Sequence, residues 1–345
     1  MAEFVTKATV SIVAPRLTSN MIHRLSKLRV IVQYLCWMFL PFVMSCCLQA
    51  KENDWSEPIP SYVIDLFESR SINYSGGRYQ DADLAYRLFV PPLVEITEQY
   101  PLLVWASGYG ERGNDNVGQL MHLDHLLDDP SNPEKFPFFV LAMQNPPDSG
   151  RWADSSGVPK PDEPATILVE ILEQTIRDCP IDEDRIYLSG VSSGGTACWE
   201  IALRHPNKFA AIVPMASSGT PAPKDRLKLL TRVPIWAFHC TEDPSMPPTT
   251  VRSTVATLSE VGGRVHLTEI EEESHDCWTA AFRDYRVMEW MLSHSRKSNS
   301  GYLPGEVPWR WWHIAVVPVL SATVVGLFSL EKKRRTGLRS SERLA

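Results

Sequence analysis

Basic residues are scarce in the central part of this 345-residue chain. The net charge is −7, but residues 1–50 and 301–345 carry +4 each, so residues 51–300 carry −15. Phosphate contacts need a basic face, so this deficit argues against nucleic acid as a partner. Residues 54 to about 296 also lack repeats and low-complexity runs, and the 44% hydrophobic content of the chain excludes a disordered protein.

An apolar segment near the N-terminus predicts export. Residues 30–44 contain no charge and follow Arg24, Lys27 and Arg29. The segment is shorter than the roughly 20 residues of a membrane span, and acidic residues follow it, so residues 1–50 are interpreted as an extension plus a signal peptide. An uncleaved anchor and lipid attachment at Cys46 are the alternatives.

A second apolar segment predicts a membrane anchor. Residues 311–330 contain no Asp, Glu, Lys or Arg, and these 20 residues are long enough for a transmembrane helix. Residues 331–345 form a basic tail. Clustered basic residues stay in the cytoplasm, so residues 51–299 are expected to be periplasmic or extracellular. Residues 300–310 are the predicted linker. A buried core helix or a cell-surface sorting signal are the alternatives for residues 311–330.

The segment between the two apolar ends is predicted to be one α/β domain, residues 51–299. Short apolar runs alternate with amphipathic ones, which is typical of a mainly parallel sheet with helices on both faces. The predicted strands are 84–90, 102–106, 138–143, 185–189, 210–215, 234–239 and 264–270. The predicted helices include 165–178, 196–204 and 249–261.

The strongest local motif is a G-x-S-x-G sequence placed between a predicted strand and a predicted helix. It reads Gly190-Val-Ser192-Ser-Gly194. In this context the motif predicts a nucleophile elbow, a tight turn that exposes the serine hydroxyl and tolerates only small neighbours. Ser192 is therefore the candidate nucleophile.

A serine nucleophile needs a base that is oriented by an acid. Asp243 and His275 each follow the end of a predicted strand, the edge at which open α/β sheets carry their sites. The chain order serine, aspartate, histidine is the order of α/β-hydrolases. Glu242 is the alternative acid.

A glycine-rich loop after the strand 102–106 is predicted to complete an oxyanion hole. Such a hole needs two backbone N–H groups aimed at the developing negative charge. The expected donors are Ser193, directly after the nucleophile, and Tyr109, with Gly110 close behind. The loop has no Gly-Lys-Ser or Gly-Lys-Thr ending, so it is not a phosphate loop.

The remaining histidines do not predict a metal centre. His122 and His125 are three residues apart, but no Cys or acidic residue lies at metal-ligand spacing from them. His239 lies within a predicted strand and is interpreted as a core residue. No metal or cofactor is expected.

These motifs resemble the α/β-hydrolase superfamily, in particular the secreted esterases related to feruloyl esterases, polyhydroxybutyrate depolymerases and phospholipase/carboxylesterases. The segment 106–116 resembles the family sequence L-H-G-x-G-E-R-G-x-D-N, with Ser107 where members usually have His. The resemblance extends over about residues 84–295. It implies an α/β-hydrolase fold, and the similar segments around Gln144 and Trp152 imply substrate-binding roles for these two residues.

The expected function is a serine esterase acting on carboxylic esters, with Ser192, His275 and Asp243 as catalytic triad. Only about 17 residues, 217–233, separate two predicted strands where a lid is often inserted, so no large cap is expected. An open cleft favours bulky or polymeric ester substrates, among them polysaccharide-linked or aromatic acyl esters. A peptidase of prolyl-oligopeptidase type and a non-catalytic surface binding protein are the alternatives.

Two cysteines flank the predicted acid and base. Cys240 lies three residues before Asp243, and Cys277 lies two residues after His275. If the acid and the base are neighbours, these cysteines come within reach of a disulfide in an oxidising compartment. A Cys240–Cys277 disulfide is therefore predicted, with two buried thiols as the alternative.

Overall fold

The computed structural model describes four stretches of the chain, residues 59–95, 97–127, 137–283 and 286–297. The predicted signal segment, the linker, the anchor and the basic tail lie outside these stretches. Among the described residues, no helix combines the length and apolar character needed to cross a membrane.

Seven α-helices and eight strands make up the described part of the chain. The strands are β1 (Phe67–Gly76), β2 (Tyr79–Phe89), β3 (Tyr100–Ala106), β4 (Phe139–Met143), β5 (Ile181–Val191), β6 (Ala211–Met215), β7 (Ile235–Cys240) and β8 (Val265–Ile270). The helices are α1 (Ser61–Leu66), α2 (Pro164–Asp178), α3 (Ser193–Arg204), α4 (Lys224–Leu227), α5 (Thr249–Glu260), α6 (Trp278–Arg283) and α7 (Arg286–Leu292). Short 3-10 helices lie at Gly118–Leu120 and Lys228–Leu230.

All eight strands belong to one sheet, in the order β1-β2-β4-β3-β5-β6-β7-β8. The first two pairings, β1 with β2 and β2 with β4, are antiparallel. From β4 to β8 every neighbouring pair is parallel. The carboxyl ends of the parallel strands therefore share one edge, and this edge carries the candidate site.

Each face of the sheet is covered by helices, because alternate side chains of a strand point to opposite faces. On β3, Leu102 and Val104 belong to a core cluster that includes residues of α2, α3 and α5, while Leu103 and Trp105 belong to a second cluster with residues of α1, α6 and α7. The two clusters explain why the central strands are apolar throughout.

The predicted mainly parallel sheet is confirmed, whereas its antiparallel edge was only partly predicted. Strand β1 was missed, and β2 begins at Tyr79 instead of residue 84. Both strands belong to an edge hairpin in which exposed polar residues alternate with partly buried ones. Such a strand lacks the continuous apolar run that marks a central parallel strand.

No large insertion separates β6 from β7. The fully described segment between them contains only α4 and the 3-10 helix Lys228–Leu230. The absence of a large cap in this segment agrees with the sequence-based expectation.

Candidate active site

The G-x-S-x-G motif forms a sharp turn between β5 and α3. Ser192 has φ 55° and ψ −117°, a backbone conformation that side-chain-bearing residues rarely adopt. A Cβ at Gly190 would lie 2.5 Å from Ala106 O, and a Cβ at Gly194 would lie 2.5 Å from Ser107 O. The two glycines thus allow the turn to pack directly against the end of β3.

The structure brings the predicted nucleophile, base and acid together. His275 Nε2 lies 2.9 Å from Ser192 Oγ, and His275 Nδ1 lies 2.6 Å from Asp243 Oδ2. Ser192 follows β5, Asp243 follows β7 and His275 follows β8, so the shared edge of the parallel sheet collects residues 83 and 32 positions apart in the chain. Glu242, the alternative acid, is exposed.

The Asp243 carboxylate is held in one orientation by the loop that follows it. Its Oδ1 atom accepts hydrogen bonds from the backbone N–H groups of Ser245 and Met246, each at 2.8 Å. Burial alone would raise the pKa of this carboxyl, but the hydrogen bonds from His275 and from the two amides outweigh burial and lower the pKa below its usual value. Asp243 therefore carries a negative charge next to His275 at neutral pH.

Two residues with predicted substrate-binding roles, Trp152 and Gln144, form hydrogen bonds to the loop that follows β3. Trp152 is 1% exposed and donates its indole N–H to Ser107 O at 2.9 Å. Gln144 is buried, accepts from the Asn116 amide at 2.8 Å and donates to Asp115 Oδ1 at 2.8 Å. Both side chains use their polar atoms in hydrogen bonds within the protein and so support this loop, while their substrate-binding roles stay predictions.

The predicted oxyanion residues lie at the same edge of the sheet as the serine. Ser193 is the first residue of α3, and Tyr109 and Gly110 lie in the loop after β3. The Tyr109 ring is 54% exposed, and the Arg112 guanidinium stacks on it with its Cζ atom 3.3 Å from the ring centroid. Arg112 also donates through Nε to Tyr109 O at 2.9 Å, which fixes the backbone of this residue.

The two cysteines that flank the acid and the base are free in the structure, so the predicted disulfide is not formed. Cys240 and Cys277 are nevertheless both fully buried. The Cys277 thiol also donates to Phe238 O at 3.4 Å, and burial raises its pKa. The pair acts as two small core residues between β7 and the loop of His275.

A second group of residues behind His275 was not predicted from the sequence as part of the site. Trp278 contacts His275 edge to face with ring centroids 5.5 Å apart, and His122 packs on Trp278 at 4.8 Å. His122 Nε2 lies 3.6 Å from Glu111 Oε1 in the loop after β3. The described residues contain no group of three or more His, Cys, Asp or Glu that could hold a metal ion.

His239 has one contact that the sequence did not predict. It is buried in β7, as the sequence analysis assumed, but its Nε2 atom lies 3.4 Å from Asp243 Oδ2. The spacing of four residues between His239 and Asp243 was the only sequence signal for this contact. It was too weak to use, because residues four apart are adjacent only when the chain turns directly after the strand.

Two family models match the chain, and both describe ester hydrolases. The model for phospholipase/carboxylesterase matches residues 154–314, and the model for esterase PHB depolymerase matches residues 84–220. Among curated proteins, no sequence matches.

Solved structures similar to this chain include esterases and peptidases. A thermostable esterase is 31% identical, with a TM-score of 0.60, and the match covers 68% of this chain and 64% of that protein. The acylaminoacyl peptidase of Pyrococcus horikoshii is 16% identical, with a TM-score of 0.50, over 71% of this chain and 44% of its own. The second likeness is one of fold alone.

The fold, the nucleophile elbow and these matches show that the chain has the α/β-hydrolase fold. It is similar to the phospholipase/carboxylesterases and to the PHB depolymerase esterases, as the sequence motifs implied.

Proposed function

We propose that the protein is a serine esterase that hydrolyses carboxylic esters through an acyl-enzyme. Ser192 attacks the ester carbonyl while His275 takes the proton from its hydroxyl, and His275 then gives this proton to the leaving alcohol. A water molecule, activated by His275 in the same way, releases the acid and restores Ser192. Asp243 orients His275 and stabilises its charged form.

The observation that carries this proposal is the continuous hydrogen-bonded path from Ser192 Oγ through His275 to Asp243, with distances of 2.9 and 2.6 Å. The Asp243 and His275 side chains are 0% and 10% exposed, so their interaction is little screened by water. Oxyanion stabilisation by the backbone N–H groups of Ser193 and Tyr109 is part of the proposal. The adjacency of α3 to the end of β3 supports it.

The open edge of the sheet favours a bulky ester substrate. No large cap lies between β6 and β7, so we propose an ester that belongs to a large molecule, such as an acyl group on a polysaccharide. The likeness to the thermostable esterase supports ester hydrolysis over peptide hydrolysis. We further propose that the protein is exported and held at the membrane by residues 311–330, because of the basic cluster that follows this apolar segment.

Substitution of the nucleophile tests the proposal. Ser192→Ala is expected to lower kcat for p-nitrophenyl acetate by a factor of about 10³ or more, because the side chain acts in the transition state, and to leave thermal unfolding nearly unchanged. Asp243→Asn should lower kcat strongly, and Glu242→Gln, its exposed neighbour, serves as the matched control with near-normal turnover. Full activity of Ser192→Ala would end the triad assignment.

Parallel assays distinguish the alternatives. The proposal expects turnover of p-nitrophenyl acetate and of a feruloyl ester, and little cleavage of an aminoacyl-proline amide. Preferential cleavage of the amide would identify a peptidase, and no turnover of any of the three would indicate a binding protein.

A further inference from the structure

Two histidines approach one carboxylate oxygen of the proposed triad. Asp243 Oδ2 lies 2.6 Å from His275 Nδ1 and 3.4 Å from His239 Nε2. Both partners of the second contact have fully buried side chains. His239 belongs to β7 and His275 follows β8, which pairs with β7, so two neighbouring strands position the two histidines on either side of the carboxylate.

The proton on His239 is located by a second contact. His239 Nε2 lies 2.6 Å from Met246 O, and a carbonyl oxygen only accepts, so Nε2 carries the hydrogen. Nδ1 is buried without a hydrogen-bond partner, which suits an unprotonated nitrogen. Burial lowers the pKa of His239, so the ring is neutral at neutral pH. Its N–H donates to Met246 O, and the same nitrogen lies 3.4 Å from Asp243 Oδ2.

This arrangement links His239 to the orientation of the acid. The Met246 amide donates to Asp243 Oδ1, while the Met246 carbonyl accepts from His239. His239 therefore holds the same short loop segment that holds the carboxylate, and it places a donor beside the oxygen that faces His275. The remaining buried histidine of this kind, His294, bonds a helix carbonyl and has no contact with the site among the described residues.

We propose that His239 is a positioning residue of the Ser192–His275–Asp243 triad, which acts by fixing the Asp243 loop through Met246 and by placing its polar Nε2–H group beside the carboxylate. This inference rests on the proposed function. A donor beside Asp243 draws negative charge away from His275, so the loss of this donor leaves the carboxylate more able to stabilise protonated His275. Without His239, the acid limb of the kcat/KM pH profile is therefore expected to move to higher pH.

Several other titratable groups lie close to His239 or to its neighbour in β7, Cys240, and must be kept constant in a test. They are Cys240 on β7, Glu269 on β8, and Glu272, Asp276 and Cys277 in the loop after β8. All of them remain in place when only His239 is changed.

The variants His239→Gln and His239→Asn form a matched pair. A glutamine amide carries an N–H near the position of histidine Nε2, whereas an asparagine amide lies near the position of Nδ1 and leaves Met246 O and Asp243 without this donor. With p-nitrophenyl acetate, His239→Gln should keep the wild-type acid limb of kcat/KM. His239→Asn should move this limb upward by about half a pH unit and lower kcat about tenfold with little change in KM.

The control is His294→Leu, which removes a buried histidine that also bonds a carbonyl, at 2.6 Å, but away from the triad. It should reduce stability and leave the pH profile unchanged. If His239→Asn matches His239→Gln, or shifts the acid limb no more than His294→Leu does, the positioning role is wrong.

NMR of the wild-type protein tests the inference without relying on turnover. His239 should be observed with a protonated Nε2 and a bare Nδ1 throughout the pH range of the activity profile. A protonated Nδ1, or a His239 that becomes charged in this range, overturns the inference. If no ester is hydrolysed, the proposed function fails separately, while this measurement still decides the position of the proton.

Discussion

Gly194 provides a sharp test of how the nucleophile elbow is built. It is the second residue of α3, and its φ lies outside the left-handed region, so helix propensity alone predicts that alanine is better than glycine by up to about 1 kcal/mol. The packing predicts the opposite. An alanine Cβ would overlap Ala106 O and lie 2.5 Å from both Ala106 C and Ser107 O.

The neighbours of Gly194 decide which effect is larger. All three are backbone atoms, two at the end of β3 and one in the following loop, and they cannot turn aside as a flexible side chain does. Overpacking of this kind typically costs about 1–3 kcal/mol. Because backbone has to move, we place the cost at the upper end, which leaves Gly194→Ala less stable by about 2 kcal/mol after the gain in propensity. For a domain of this size the melting temperature should fall by about 4–8 °C.

The same displacement should also lower the turnover rate, and the increase in activation free energy should exceed the loss in free energy of unfolding. A shift of β3 and α3 apart separates Ser192 from the loop of Tyr109, and a misplacement on the order of 1 Å costs about 10²-fold in rate. The assays are denaturant unfolding and hydrolysis of p-nitrophenyl acetate. Gly150→Ala is the matched control, because a Cβ at Gly150 meets nothing within 4 Å and its φ is not in the left-handed region. If Gly194→Ala equals this control in stability and activity, the packing argument is refuted.

Two further predictions concern stability and location. Arg204 is 2% exposed and pairs with Glu163 at 2.7 Å, so Arg204→Met should lower the free energy of unfolding by about 3 kcal/mol because the Glu163 carboxylate, 11% exposed, loses its charged partner. The exposed pair of Lys224 and Glu260 is the control, and Lys224→Met should change little in urea unfolding; equal losses would contradict the reasoning. Full-length protein should fractionate with membranes, and truncation after Gly301 should release active enzyme; intact chain in the soluble fraction would refute the anchor.

The sequence alone was sufficient for the elbow, the class of fold and the three residues of the proposed triad. Each rests on a local pattern: apolar runs for the buried parallel strands, small residues around Ser192, and polar residues directly after strand ends. In a parallel sheet these ends lie at one edge, so Asp243 and His275 could be expected near Ser192 without a structure.

The tertiary structure was needed wherever the answer depended on the neighbours of a side chain. Gln144 and Trp152 lie in segments that resemble the family sequence, but only their buried hydrogen bonds show that they support the loop after β3. The exposed position of Glu242 and the buried position of Asp243 likewise follow from how one turn leaves β7.

The edge hairpin and His239 illustrate the same division. In strand β1, exposed residues alternate with partly buried ones, so its composition does not identify it as a strand. Its pairing with β2, which only the tertiary structure shows, does identify it. His239 was correctly expected in the core, yet its contact with Asp243 arises from the folding of the loop 241–248 back toward the strand. Local sequence determines periodicity and turn chemistry, whereas the burial and orientation of a polar group depend on residues distant in the chain.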